Sequence, residues 1–167
     1  MEFKLGSAAS LKLSDDELST LLHSVYVDGG YTDTDHALSL FQPSLVRQRR
    51  DLICAREIQT GKIAGMVMVV FAHSPSRLLA KADECEMHLL GVMPHYRQRG
   101  LGLTLINTAL YRGRMAKKST MLLWTQPNML SAQKLYQVAG FKRHTTHDFT
   151  RHGREFWYFQ RNLNSQV

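Results

Sequence analysis

The stretch Arg97-Gln98-Arg99-Gly100-Leu101-Gly102 combines residue types that suit a phosphorylated ligand. The apolar run Leu89-Leu90-Gly91-Val92-Met93 stops at Pro94, and a helical pattern opens at Leu103-Thr104-Leu105-Ile106. A strand, a glycine turn and a helix start follow one another. The first N–H groups of a helix have no intrahelical partner, and the helix dipole adds roughly half a positive charge at that end. Gly100 and Gly102 lack a Cβ, so a diphosphate can come close to the main chain. Arg97 and Arg99 add fixed charge. The bland alternative is a helix that starts at a glycine turn with no ligand.

Two familiar phosphate loops do not fit. No Lys-Ser/Thr pair follows these glycines, as the Walker loop requires, and position 105 is Leu where the dinucleotide fingerprint has its third glycine. Just upstream, strand alternation puts Glu84, Glu86, His88, Leu90 and Val92 on one face, a polar half leading into an apolar half. That suits a substrate cleft with a proton acceptor. A glutamate titrates near 4.3 and is a poor base at neutrality unless burial raises it, whereas an imidazole titrates near 6.5. Glu84 and Glu86 also fit as solvated residues or arginine partners. Cys54 and Cys85 lack Cys-x-x-Cys or Cys/His ligand spacing and read as buried thiols, with no metal site. His144, His147 and His152 are irregularly spaced near a turn and read as surface residues.

The elements that must position these residues follow from periodicity. Ser14-Asp15-Asp16-Glu17 is a capping box opening a helix to about Ser24, with Leu18, Leu21, Leu22 and Val25 on one face. Asp28-Gly29-Gly30 breaks the chain, and a second short helix is expected over Asp33 to Phe41, stopping before Pro43. Strands are expected over Asp51–Ile58, Lys62–Ala72 and Glu84–Met93, with Thr60-Gly61 as a turn and His73–Ala82 as a loop. A helix over Leu101–Ala116 follows, then a strand over Thr120–Thr125 and a helix over Ser131–Ala139 ended by Gly140. Lys142–Phe149 and Glu155–Asn162 pair across a turn containing Gly153. The fold class is α/β (α+β): a mixed, mostly antiparallel sheet with helices on both faces. Residues 1–10 have no clear period and are expected to be a flexible arm or a cloning remnant, leaving 11–167 as a single domain.

A chain of 167 residues can bury a sizeable core. Its longest apolar run, Ile63 to Ala72, is far short of the ~20 residues of a membrane span, and no secretory signal is visible, so a cytoplasmic protein is expected. The formal charge of +7 suits an anionic ligand or acidic partner. Arg47, Arg49 and Arg50 form one basic cluster; Arg112, Arg114, Lys117 and Lys118 form another at a helix C-terminus, where the dipole favours cations. The arginines are dispersed and no helix-turn-helix or RNP-like pattern exists, so nucleic acid is not the expected partner.

Val92-x-Pro94 followed by Arg97-Gln98-Arg99-Gly100-Leu101-Gly102 resembles the acetyl-CoA signature of the GNAT superfamily of N-acetyltransferases, Gln/Arg-x-x-Gly-x-Gly/Ala. Ala132-Gln133-Lys134-Leu135-Tyr136-Gln137-Val138-Ala139-Gly140-Phe141 resembles that family's later motif, Ala-x-x-Leu-Tyr-x-x-x-Gly-Phe. The resemblance runs from about Glu84 to Phe141 and implies an acyltransferase that moves an acetyl group from acetyl-CoA to a primary amine by direct transfer. It implies main-chain contacts from Leu90 and Val92 to the pantetheine, and contacts to the pyrophosphate from Gln98, Arg99, Gly100, Leu101, Gly102, Leu103 and Thr104, with Arg97 alongside. It implies Tyr136 as general acid at the coenzyme sulfur, and Glu86, eleven residues before Arg97, as the base, with His88 and Glu84 as alternatives. Asn128 stands four residues before Ala132 where three is commoner; it fits either a coenzyme contact or turn chemistry. Cys85 falls on the strand face opposite Glu86, which argues against a covalent cysteine intermediate.

The acceptor is a small-molecule or protein amine that the sequence does not identify. Asp28, Asp33 and Asp35 make one region locally acidic, as a cationic amine would need, and equally serve as turn and cap residues. No membrane partner is expected, and the resemblance allows a homodimer through the C-terminal strands. The alternative function is a non-catalytic module that binds or senses acyl-CoA.

Overall fold

The computed structural model describes residues 1–32, 42–48 and 51–164. The elements in chain order are β1 (Phe3–Gly6), α1 (Asp15–Leu22) running into a π-helical turn (His23–Val27), α2 (Pro43–Gln48), β2 (Leu52–Glu57) and β3 (Ile63–Phe71). They continue with β4 (Glu84–Val92), a 3-10 turn (Pro94–Tyr96), α3 (Leu101–Met115), β5 (Thr120–Thr125) and α4 (Leu130–Val138). The chain ends with β6 (Lys142–Arg143), a 3-10 turn (Thr145–His147), β7 (Phe149–Arg151) and β8 (Arg154–Asn162). Hydrogen-bonded strands follow the order β1-β2-β3-β4-β5-β8-β6, with β7 paired to β8. The fold is a mixed α/β one with an eight-stranded, mostly antiparallel sheet, as expected; β4 and β5 pair in parallel.

The chain divides into two compact units. The first holds residues Met1–Met68 and Leu89–Ile106. Its helix α1 starts as its sequence dictates: the Ser14 side chain accepts from the Glu17 amide at 3.2 Å, and the Glu17 carboxylate accepts from the Ser14 amide at 2.9 Å. Leu18, Leu21 and Leu22 are buried to 1% exposure or less. Each contributes about 1.5–3 kcal/mol as an upper estimate. Arg56 of β2 meets the Glu17 carboxylate at 3.0 Å and ties α1 to the sheet.

One expectation for this unit is corrected. The segment read as a flexible arm or remnant contributes β1, whose Phe3, Lys4, Leu5 and Gly6 pair with Glu57, Arg56, Ala55 and Cys54 of β2. Four residues are too few to show a clear period. Pro43 opens α2, where its missing N–H costs nothing at the first helical position. The helix expected over Asp33 to Phe41, with Asp33 and Asp35, lies outside the described residues, as do Arg49 and Arg50.

The second unit holds Val69–His88 and Asn107–Val167. Strand β5 pairs with β8 from Thr120↔Asn162 to Thr125↔Trp157, and its Met121, Leu122 and Leu123 lie in the core with Phe159. α3 packs closely at Gly113, where a Cβ would stand 2.8 Å from Leu163 Cδ1 and 3.1 Å from Cys85 Sγ. α4 ends as a Schellman motif: Gly140 adopts φ 80°, its amide donates to Gln137 O, and the Phe141 amide donates to Tyr136 O. The expected last hairpin is divided, since β6 and β7 both pair with β8 and the 3-10 turn at Thr145–His147 separates them.

Candidate active site

In the first unit the end of β4 delivers the chain into the loop 97–100. The 3-10 turn Pro94–Tyr96 is pinned from below: the buried Tyr96 hydroxyl donates to the Glu57 carboxylate at 3.0 Å, and the Phe3 ring stands edge-on to Tyr96 at 5.7 Å. The Phe3 contact from β1 therefore supports the turn that leads into the loop. Gln98 takes φ 59° and Gly100 φ 79°, both left-handed. Left-handed residues in alternation turn successive amides toward one side, which makes an anion-binding concavity. Nothing stands within 4 Å of where a Gly100 Cβ would be, so the space over the loop is open. α3 begins immediately, with the Thr104 amide donating to Gly100 O, and the first-turn amides of Leu101, Gly102 and Leu103 have no carbonyl of their own helix to bond.

The two arginines are held by the backbone. Arg97 Nε donates to Val92 O at 3.1 Å and Arg99 Nε to His95 O at 3.3 Å. These bonds fix both guanidinium groups beside the loop while leaving their terminal nitrogens for other partners. The structure thus brings together Val92, Arg97, Gln98, Arg99, Gly100 and Thr104, as the spacing predicts. The Thr104 hydroxyl donates to Gly100 O at 3.2 Å, which makes it part of the helix start.

Strand β4 itself departs from the expected regularity. Leu89 takes φ 50°, a left-handed conformation rare for a branched side chain in a strand. It interrupts the two-residue alternation, so Glu84, Glu86, His88, Leu90 and Val92 do not form one uniform row. The Leu90 carbonyl accepts from the Tyr26 hydroxyl at 3.0 Å. A carbonyl has two lone pairs, so a second donor still fits there. At Gly91 a Cβ would meet Val25 at 3.1 Å, and at Gly65 a Cβ would stand 2.7 Å from Gly91 O. The close approach of β3 to β4 needs Gly65, and that of the π-helical turn to β4 needs Gly91.

In the second unit, the register with β5 covers Glu84, Cys85 and Glu86. Glu86 is fully buried. Its carboxylate accepts from the amides of Leu78 at 3.1 Å, Leu79, and Ala80 at 2.6 Å, and lies 2.8 Å from His88 Nε2. Burial alone would raise this carboxyl. The bonds from His88, Ala80, Leu79 and Leu78 outweigh burial and hold it below the usual carboxylate value. Glu86 is therefore an ionised anchor for the loop before β4. His88 is 14% exposed and its ring stands edge-on to Trp124 at 4.7 Å. A neutral His88 donating from Nε2 to Glu86 keeps its lone pair on Nδ1. Glu84 accepts from the Lys81 amide at 2.8 Å and caps the same loop.

Tyr136 is buried between Phe141 and Phe159, at ring separations of 6.1 and 6.2 Å. Burial pushes its phenol upward, so it stays protonated, the state an acid requires. Asn128 is exposed, and its carbonyl accepts from the Leu130 amide in the turn before α4. Gln133, which no sequence pattern singles out, holds that turn by donating to the carbonyls of Gln126 at 3.0 Å and Pro127 at 3.2 Å. Cys85 is buried and its thiol is pushed up to about 12 by that burial, which removes it as a nucleophile at neutral pH. Among the described residues no group of His, Cys, Asp or Glu could hold a metal ion.

Comparison with known proteins accounts for this arrangement. A family model described as "Acetyltransferase (GNAT) family" matches residues 12–141. Mycothiol acetyltransferase of Mycobacteroides abscessus is 30% identical over 113 residues, covering 68% of this chain; the chain spans only 36% of that relative. A GNAT-family acetyltransferase from Staphylococcus aureus Mu50 superposes with a TM-score of 0.74 at 15% identity, covering 98% of this chain and all of that one. A Bacillus subtilis acetyltransferase solved in complex with CoA superposes with a TM-score of 0.64 at 17% identity, covering 96% of this chain and 97% of that one. No described helix is long and apolar enough to cross a membrane. With the two sequence motifs, the fold and the family match in agreement, this chain belongs to the GNAT family of acetyltransferases.

Proposed function

We propose that the chain is an acetyl-CoA-dependent N-acetyltransferase that moves an acetyl group to a primary amine by direct transfer. The observation that carries this reading is the paired left-handed geometry of Gln98 and Gly100 at the start of α3, with open space above Gly100. Those amides, with Arg97 and Arg99 beside them, fit the pyrophosphate of coenzyme A. Leu90 and Val92 offer main-chain groups to the pantetheine. When bound, acetyl-CoA supplies the activated acetyl group.

The chain's own residues handle the protons. An amine attacks only after its ammonium loses a proton. His88 is the better acceptor for it than Glu86, because the Glu86 carboxylate is stabilised by three amides and has little proton affinity. Glu86 positions the imidazole and stabilises its positive form after it takes the proton. Tyr136, protonated, donates to the departing thiolate. Asn128 is favoured as turn chemistry.

Mixing the protein with acetyl-CoA and a panel of primary amines, and following free thiol together with the mass of the amine, tests the reading. Thiol release matched by a 42 Da gain on the amine is expected, the mass of an acetyl group replacing a proton, about 42 by simple chemistry. Saturable coenzyme binding with no transfer to any amine supports the sensing module instead.

A further inference from the structure

Beside His88 lies a set of aromatic rings that the proton chemistry does not use. Trp124 of β5 stands edge-on to His88 at 4.7 Å and to Phe149 of β7 at 6.0 Å; Phe149 stacks on Phe156 of β8 at 5.4 Å with planes 24° apart. Phe149 and Phe156 are paired in register. All three rings are half-buried, whereas Phe141 and Phe159 in the same unit are 2% and 1% exposed. A run of partly uncovered aromatic surface beginning at the base is a place for a ligand rather than a piece of core.

We propose that Trp124, Phe149 and Phe156 form the wall along which the acceptor lies, and that the acceptor is a primary amine carried on a flat, apolar body. This rests on the acetyltransferase reading above. No free carboxylate array of the kind a polyamine needs lines these rings among the described residues. The carboxylates on these elements are engaged: Glu86 by three amides and His88, Glu84 by the Lys81 amide, Asp148 by Arg143 and the Tyr158 amide, and Glu155 by the Trp157 indole N–H. The turn joining β7 to β8 carries Arg151 and Arg154 opposite each other in register. An aromatic or flat aliphatic body gains ring contact along the wall and leaves its single amine at His88.

Initial rates with saturating acetyl-CoA and three acceptors (2-phenylethylamine, n-butylamine and spermidine) test the proposal in the wild type and in Trp124→Ala, Phe149→Ala and Trp124→Phe. The expected result is a kcat/KM for phenylethylamine about tenfold above butylamine. The two alanine variants lose that margin through KM, and Trp124→Phe restores most of it. Thermal melts confirm that each variant is folded. A preference for spermidine, or an equal loss on all three amines in folded variants, overturns the proposal. Transfer to none of the three by a wild type that acetylates another amine of the panel overturns this inference alone; transfer to no amine of the panel, with coenzyme bound, overturns the acetyltransferase reading with it.

Discussion

Glu86 Oε2 lies 2.8 Å from His88 Nε2, two residues along the same strand, and the same carboxylate gathers the amides of Leu78, Leu79 and Ala80. Residues two apart normally point the same way from a strand without touching. Here the loop before β4 folds over Glu86 and fixes it, and the histidine leans onto it.

This arrangement divides binding from chemistry. His88→Ala removes the proposed proton acceptor and is expected to lower kcat by about 100-fold. Glu86→Gln keeps the size of the side chain but loses the charge, and is expected to lower kcat by about tenfold. Affinity for coenzyme A, measured by calorimetry, should change less than twofold in both. An equal loss of coenzyme affinity would show that the pair is structural only.

Glu86 ties the stability of the native state to pH on the acid side. The native state holds this carboxyl below its unfolded value of about 4.3, so between the two values the unfolded chain binds more protons and stability rises with pH. The contribution is fully present above about pH 4.3 and is lost as pH falls through the lower native value. Glu17 is lowered too: burial opposes, but the Ser14 amide and Arg56 outweigh it. Thermal melts from pH 7 to 3 should show the wild type losing Tm below about pH 4.5, and Glu86→Gln losing distinctly less.

The hydroxyl of Tyr136 is proposed to protonate the leaving group, while its ring packs against Phe141 and Phe159. Tyr136→Phe keeps the packing and removes the proton. Turnover is expected to fall about 100-fold with coenzyme affinity and Tm nearly unchanged. Unchanged turnover removes Tyr136 from the mechanism.

Gly65 tests the close passage of β3 against β4. A Cβ there would meet Gly91 O at 2.7 Å, a backbone atom that cannot swing away. Gly65→Ala is expected to cost about 1–3 kcal/mol in urea unfolding. Gly153→Ala, at an open turn with φ 72°, should cost less, about 1 kcal/mol from the backbone conformation alone.

Much of the frame was legible in local residue patterns. The Ser14 capping box, the glycine stop at Gly140 and the strand Thr120–Thr125 each follow from neighbours in sequence, and the structure places them there. The loop at Gly100 was legible for the same reason, since glycine spacing reports a backbone need. What was not legible is non-local. β1 is too short for a period and exists because β2 offers an edge. The left-handed Leu89 and Gln98 carry no glycine or asparagine signature, so nothing in their identity announces them. The role of Glu86 turns on amides eight to six residues upstream that fold over it, and alternation alone could not tell a base from an anchor. Gln133 likewise serves a turn that only the folded chain brings to it.

The central claim is that the backbone at Gln98 to Gly102 grips the diphosphate of coenzyme A. Titration calorimetry of the folded chain with coenzyme A, compared with Gly100→Val, tests it most directly. A left-handed valine is strained and its side chain fills the open space over the loop. Saturable one-to-one binding by the wild type, weakened at least about tenfold in a variant with an intact melt, is the predicted result. Absence of binding by the wild type, or equal affinity in the two proteins, would contradict the account.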